Sequence, residues 1–230
     1  MSFTDVVIRL HALTGAIAFG AMWIPMFSRK GGAVHRKVGR VFTWAMACAS
    51  TSAVCASCLR LAERPEAPQG PLLLALVAIQ SAAATWWGIA VLRRKGRDAR
   101  SRSLPDWIAA AALLLSGALA VAYFLQGAML LIAIFGALNI VFGLRFAFVL
   151  GRAPSSRFWW WYEHLFGMLV ACIGTLTAFF VVNYRHTPAA FRSVIPGLAV
   201  WIAPGLIGGL AIALLTHHYR AKLEGGPRGR

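Results

Sequence analysis

Apolar residues gather into seven long stretches, each followed by a short polar connection. The stretches run from Val6 to Phe27, Val41 to Leu59, Pro71 to Leu92, Asp106 to Leu125, Ala128 to Leu150, Trp159 to Val182 and Pro196 to Thr216. Each is close to the ~20 residues that a helix needs to cross a ~30 Å hydrocarbon layer. In that solvent a lipid-exposed backbone must satisfy its own hydrogen bonds, so each stretch is expected to be helical. The pattern predicts an all-α, polytopic bundle of seven transmembrane helices, residues 1–230 forming one domain with short loops.

Charge orients the bundle. Seventeen of the 23 lysines and arginines fall on alternate connections and the tail: Arg29, Lys30, Arg36, Lys37 and Arg40; then Arg93, Arg94, Lys95, Arg97, Arg100 and Arg102; then Arg152 and Arg157; then Arg220, Lys222, Arg228 and Arg230. Five lie on the other side, and Arg145 falls inside a span. The positive-inside rule puts the N-terminus outside and the C-terminus in the cytoplasm. Eight of the nine tryptophans sit in the cytoplasmic half of their spans, and Phe158 to Tyr162 reads as an interfacial aromatic belt. Asp5 and Arg9 leave the first nine residues without net positive charge, and the first apolar run reads as a retained span rather than a cleaved leader.

Composition agrees, with 59% hydrophobic residues and a mean hydropathy of +0.68. The net charge of +16 could suggest a nucleic-acid partner. Its concentration on cytoplasmic loops instead fits topology and attraction to a bilayer with anionic headgroups, with no nucleic acid involved.

Local signals add detail. Ser103 with Asp106 is a capping-box pattern opening the fourth helix. Gln126-Gly127 leaves almost no connection, so the fourth and fifth helices are expected to form an antiparallel hairpin. Gly15 and Gly20, Gly136 and Gly143, and Gly205, Gly208 and Gly209 are expected at close helix approaches. Pro204 is expected to kink the last helix.

Ionisable residues at membrane depth are costly and usually face a cavity or a partner, which singles out Arg145 and Glu163-His164. Arg145 lies about six residues before the inner end of its helix and Glu163 about five after the start of the next. An ion pair between them is therefore expected, the alternative being that Arg145 snorkels to the headgroups. His35, His164, His217 and His218 lie near the cytoplasmic face, and His11 and His186 near the outer one. The inner group could hold one metal or haem, with Gly167 leaving room for a macrocycle and Met168 as a soft ligand. Interhelical hydrogen bonding explains each histidine equally well. Cys48, Cys55, Cys58 and Cys172 lie in spans; Cys55-x-x-Cys58 reads as packing, redox or metal chemistry being the lesser alternative.

The motifs His11-x-x-x-Gly15, Lys30-Gly31-Gly32-x-x-His35-Arg36-x-x-Gly39-Arg40 and Glu163-His164-x-x-x-Met168, with Thr175-x-Thr177-Ala178-Phe179 and Asn183, together resemble an uncharacterised family of bacterial multi-spanning membrane proteins, a domain of unknown function. The resemblance implies a bacterial cytoplasmic (inner) membrane location and a helical bundle. It draws attention to His11, His35, Arg36, Arg40, His164, Thr177 and Asn183.

Two function classes follow. The first is a membrane redox or cofactor-binding protein: His35 and His164, with Met168, hold haem b or a transition metal, Arg36 or Arg145 pairs with propionates, and His11 serves an outer site. The second is a small-solute transporter with Pro204 and its neighbouring glycines as the flexible element and Arg145, Glu163 and Asn139 lining a path. A cofactor-free assembly or scaffold protein is a third reading.

Overall fold

The computed structural model describes residues 2–95, 103–154 and 156–224. Of the basic residues counted above, Arg97, Arg100, Arg102, Arg228 and Arg230 lie outside this set. The described chain contains helices and no strands: α1 (Phe3–Phe27), α2 (Ala33–Glu63), α3 (Gln69–Ala90), α4 (Leu104–Phe124), α5 (Leu130–Gly151), α6 (Trp159–Tyr184), a short α7 (Ala189–Val194) and α8 (Gly197–Glu224). A 3₁₀ turn over Val91–Arg94 extends α3. All but α7 are long and apolar enough to cross a membrane, so seven candidate spans are present and the protein is a multi-pass, integral membrane helical protein.

Two helix starts are written in the local sequence. Ser2 with Asp5 and Ser103 with Asp106 each form a capping box, the serine accepting from the backbone and the carboxylate returning to the cap N–H. Two others differ from the hydropathy reading. α2 opens at Ala33, directly after Gly32, rather than near Val41. Residues 33–40 are Ala, Val, His, Arg, Lys, Val, Gly and Arg, mostly compatible with a helix though too polar to count as a span. His35, Arg36 and Arg40 therefore sit on a helix rather than a loop. α8 likewise runs on to Glu224 and carries His217 and His218.

α3 occupies the centre, packed against α2, α4, α5 and α6. The α1–α2 and α4–α5 hairpins flank it, and α8 packs mainly on α6 without burying a residue of its own. One core cluster joins α1, α2 and α6 around Ala18, Met22, Phe42 and Ala171. Two more join α3, α4 and α5, one at each end of the bundle. Trp87, fully buried, stacks on Phe146 with ring centroids 4.2 Å apart. Leu115, Leu119, Val141, Leu144, Leu206 and Ile207 are exposed, an apolar exterior that suits lipid contact.

The glycines divide sharply. A Cβ on Gly117 would lie 2.5 Å from the Gly136 carbonyl oxygen, and one on Gly167 would lie 2.7 Å from the Gly88 nitrogen. Both pairs thus bring backbones into contact, α4 on α5 and α6 on α3. Gly143 and Gly208 are also crowded, by Leu114 and Ile173. Gly15, Gly20, Gly205 and Gly209, expected at similar contacts, meet nothing within 4 Å: their faces point away from neighbouring helices. α8 continues as helix through Pro204.

Candidate functional site

The basic connections converge at one end of the bundle, where α1, α3, α5 and α8 end and α2, α4 and α6 begin. The last carbonyls of α1 have no intrahelical donor and carry the negative end of its dipole. Lys30 donates to the Pro25 oxygen at 3.0 Å and also to that of Met26. His35, in the first turn of α2, bonds the same Pro25 oxygen through Nδ1 at 3.1 Å. Burial holds the Lys30 ammonium below its ordinary pKa.

His164 bonds across to α3, its Nδ1 lying 2.6 Å from the Gly88 oxygen. That carbonyl stands where the α-helix gives way to the 3₁₀ turn, the place where backbone acceptors become available. The two imidazoles are half-buried, with centroids 6.3 Å apart and planes at 67°. A carbonyl only accepts, so Nδ1 carries the proton in both rings and, in the neutral form, Nε2 keeps its lone pair. An imidazole held by its Nδ1–H on a backbone carbonyl is the usual arrangement behind a metal-ligating histidine. Among the described residues no third His, Cys, Asp or Glu joins the pair.

One turn from His164 the bundle is closed. Gly167 is filled by the backbone of α3, and the Met168 sulfur lies against Gly88. The space expected beside Gly167 for a macrocycle is therefore taken by helix packing.

Beside the histidines, Arg145 forms a two-point ion pair with Glu163: Nη1 to Oε2 at 2.8 Å and Nη2 to Oε1 at 2.7 Å. Trp87 Nε1 donates to the same carboxylate at 2.8 Å, and the guanidinium rests 3.6 Å from the Phe166 ring centre. The helices carrying the pair do not pack closely along their length; α3 contacts both, and Trp87 joins in between. α5 and α6 meet through side chains, the ion pair and the Phe142–Phe166 ring contact at 5.6 Å, rather than through close backbone approach. With both nitrogens engaged, Arg145 is not available to a propionate. Arg36, exposed, donates to the Gly31 oxygen at 2.8 Å, and Arg40 is exposed.

A second ion pair closes the same end. Arg94 bonds Asp106, which is fully buried and also accepts from Trp86 Nε1 at 3.1 Å and from Ser103. The sequence marked Asp106 as a cap, and its pairing with Arg94 was not foreseen; a carboxylate at a helix start facing a basic run was the available signal.

The remaining candidates are dispersed. His11 lies toward the far end, its Nδ1 2.9 Å from the Ala49 oxygen on α2. Near it, Thr4 bonds Glu63 and ties α1 to α2. Asn139, fully buried, donates to the Leu76 oxygen at 3.3 Å and to Ser116 at 3.2 Å, while its own oxygen has no partner. Thr177 bonds the Ile173 oxygen, and Asn183 the Phe179 oxygen, each within its own helix. His186, His217 and His218 are exposed. Cys55 and Cys58 are unpaired and exposed on α2.

A cavity of about 320 Å³ adjoins the Arg145–Glu163 pair, walled by α6 and α8. Asn139 does not line it. Comparison with known proteins gives no match to a family model, a curated protein or a solved structure.

Proposed function

We propose that this protein is a multi-pass protein of the bacterial cytoplasmic membrane that holds a transition-metal centre at its basic, cytoplasmic end, between His35 and His164. The observation that carries this reading is the approach of two imidazoles from different helices, each held by Nδ1 on a carbonyl and each keeping Nε2 for a ligand. The membrane assignment draws on the seven spans, the side on the distribution of basic residues, and the bacterial setting on the resemblance of the Gly-Gly-x-x-His-Arg-x-x-Gly-Arg segment.

The donor set favours a particular metal. A ligated ion lies ~2 Å from an imidazole nitrogen, so two rings in line through one ion hold their centroids about 6 Å apart, while a tetrahedral angle brings them to about 5 Å. The observed 6.3 Å leaves room for one ion between the rings, which Nε2 of His35 and Nε2 of His164 would hold. Structural zinc takes four ligands, whereas copper(I) accepts imidazole and thioether donors at low coordination number. Met168, one turn from His164, is the nearest thioether on that helix. Haem iron would also accept two imidazoles, but the contact of Gly167 with α3 and the engagement of Arg145 speak against a macrocycle. Copper(I) is therefore the preferred occupant. Bound there, it supplies one-electron chemistry; the chain's own contribution is to hold both rings in one tautomer and to keep the site beneath packed helices.

The test is metal content after anaerobic loading with copper(I). Purified protein is expected to retain one copper per chain, and His35→Ala or His164→Ala to lose it while His186→Ala keeps it. Retention of stoichiometric copper by His164→Ala would refute the site.

A further inference from the structure

The cavity beside the Arg145–Glu163 pair is walled by α6 and α8, with Arg145 reaching in from α5. Toward the other end of the bundle α5 and α8 meet through Phe135 and Trp201, ring centroids 5.7 Å apart. At the basic end α8 lies on α6, and the cleft of about 320 Å³ opens there with Arg145 of α5 at its edge.

Its wall on α8 is graded. Ile212, Thr216 and Arg220 recur every four residues on one face, and Arg220 stands ~12 Å closer to the basic end than Ile212. Phe166 on α6 lines the same cleft. The cleft thus passes from apolar walls to a hydroxyl and then a guanidinium over the depth at which a bilayer passes from acyl chain to headgroup.

Among the described residues, the cleft's lining includes one guanidinium outside an ion pair, that of Arg220. Arg145 is neutralised by Glu163 on two points. Arg220 has no carboxylate within ion-pair distance among the described residues. Glu224, one turn on, accepts instead from Tyr162 at 3.0 Å and from Ser156. The Arg220 guanidinium lies 5.2 Å from the Tyr162 ring centre, which helps hold it at the mouth. His217 adds a further donor.

We propose that this cleft is a binding site for a phosphate-bearing anion and that its occupant is an anionic phospholipid, the phosphate on Arg220 and Thr216 and the first methylenes between Phe166 and Ile212. Free phosphate shares the polar contacts, but only a lipid uses the apolar depth. Nothing in the histidine site is needed for this binding.

Native mass spectrometry of the full chain in detergent, titrated with phosphatidylglycerol or phosphatidylcholine, tests the assignment. One phosphatidylglycerol is expected to bind roughly fivefold more tightly than phosphatidylcholine, a guanidinium near a membrane surface contributing about that much. Arg220→Gln should abolish the preference. Lys222→Gln, a charge loss on the same helix outside the cleft, should preserve it, and both variants should keep their copper. Equal losses in the two variants would reduce the effect to diffuse attraction and overturn the site. Displacement of phosphatidylglycerol by excess inorganic phosphate would overturn the lipid assignment.

Discussion

His11, His35 and His164 each direct one ring nitrogen to a carbonyl on a neighbouring helix, yet only His35 and His164 approach one another. Depth along the chain was enough to set His164 and Glu163 apart from the exposed histidines, because ionisable groups that far into a span need partners. What it could not show was the acceptor for His164. The Gly88 carbonyl is available because α3 tightens into a 3₁₀ turn just beyond it, and that transition leaves no mark in hydropathy. The Arg145–Glu163 pair gives a test at this scale. Removing one partner of a buried pair costs about 3 to 5 kcal/mol, while removing both can be nearly neutral. In detergent, Arg145→Gln and Glu163→Gln should each lower the unfolding temperature, and the double variant should recover part of the loss. Strictly additive losses would show that the two side chains are energetically independent.

Among the elements, seven spans were legible because composition alone decides whether a segment tolerates lipid, and the tight α4–α5 hairpin because Gln126-Gly127 leaves no slack. Neighbour relations were less so. The sequence placed α5 and α6 side by side only through their ion pair, and gave no sign that α3 packs against both with Trp87 on the shared carboxylate. The glycine pattern was ambiguous for a related reason: small residues allow close approach without requiring it. The structure separates the two cases and predicts opposite outcomes. Gly167→Val would force side-chain atoms into the backbone of α3 and should cost about 1 to 3 kcal/mol, with weakened copper retention. Gly15→Ala, with open space around it, should leave thermal stability unchanged or slightly raised. A chemical-denaturation comparison that ranked Gly15→Ala as the more damaging would contradict the α3–α6 contact.

For the whole molecule, one end collects both ion pairs, the two histidines and most of the basic residues, while the flanks are bare apolar surface. The charge asymmetry predicts that this end faces the cytoplasm. In intact cells an impermeant thiol reagent should label Ala67→Cys and should reach Lys222→Cys only after permeabilisation; the reverse pattern would invert the map.

The two-histidine centre is tested most directly at the metal itself. X-ray absorption at the copper edge of the anaerobically loaded protein should show a low-coordinate copper(I) with two nitrogen scatterers at ~2 Å and imidazole outer shells. A four-coordinate spectrum, or one unchanged in His35→Ala, would contradict it.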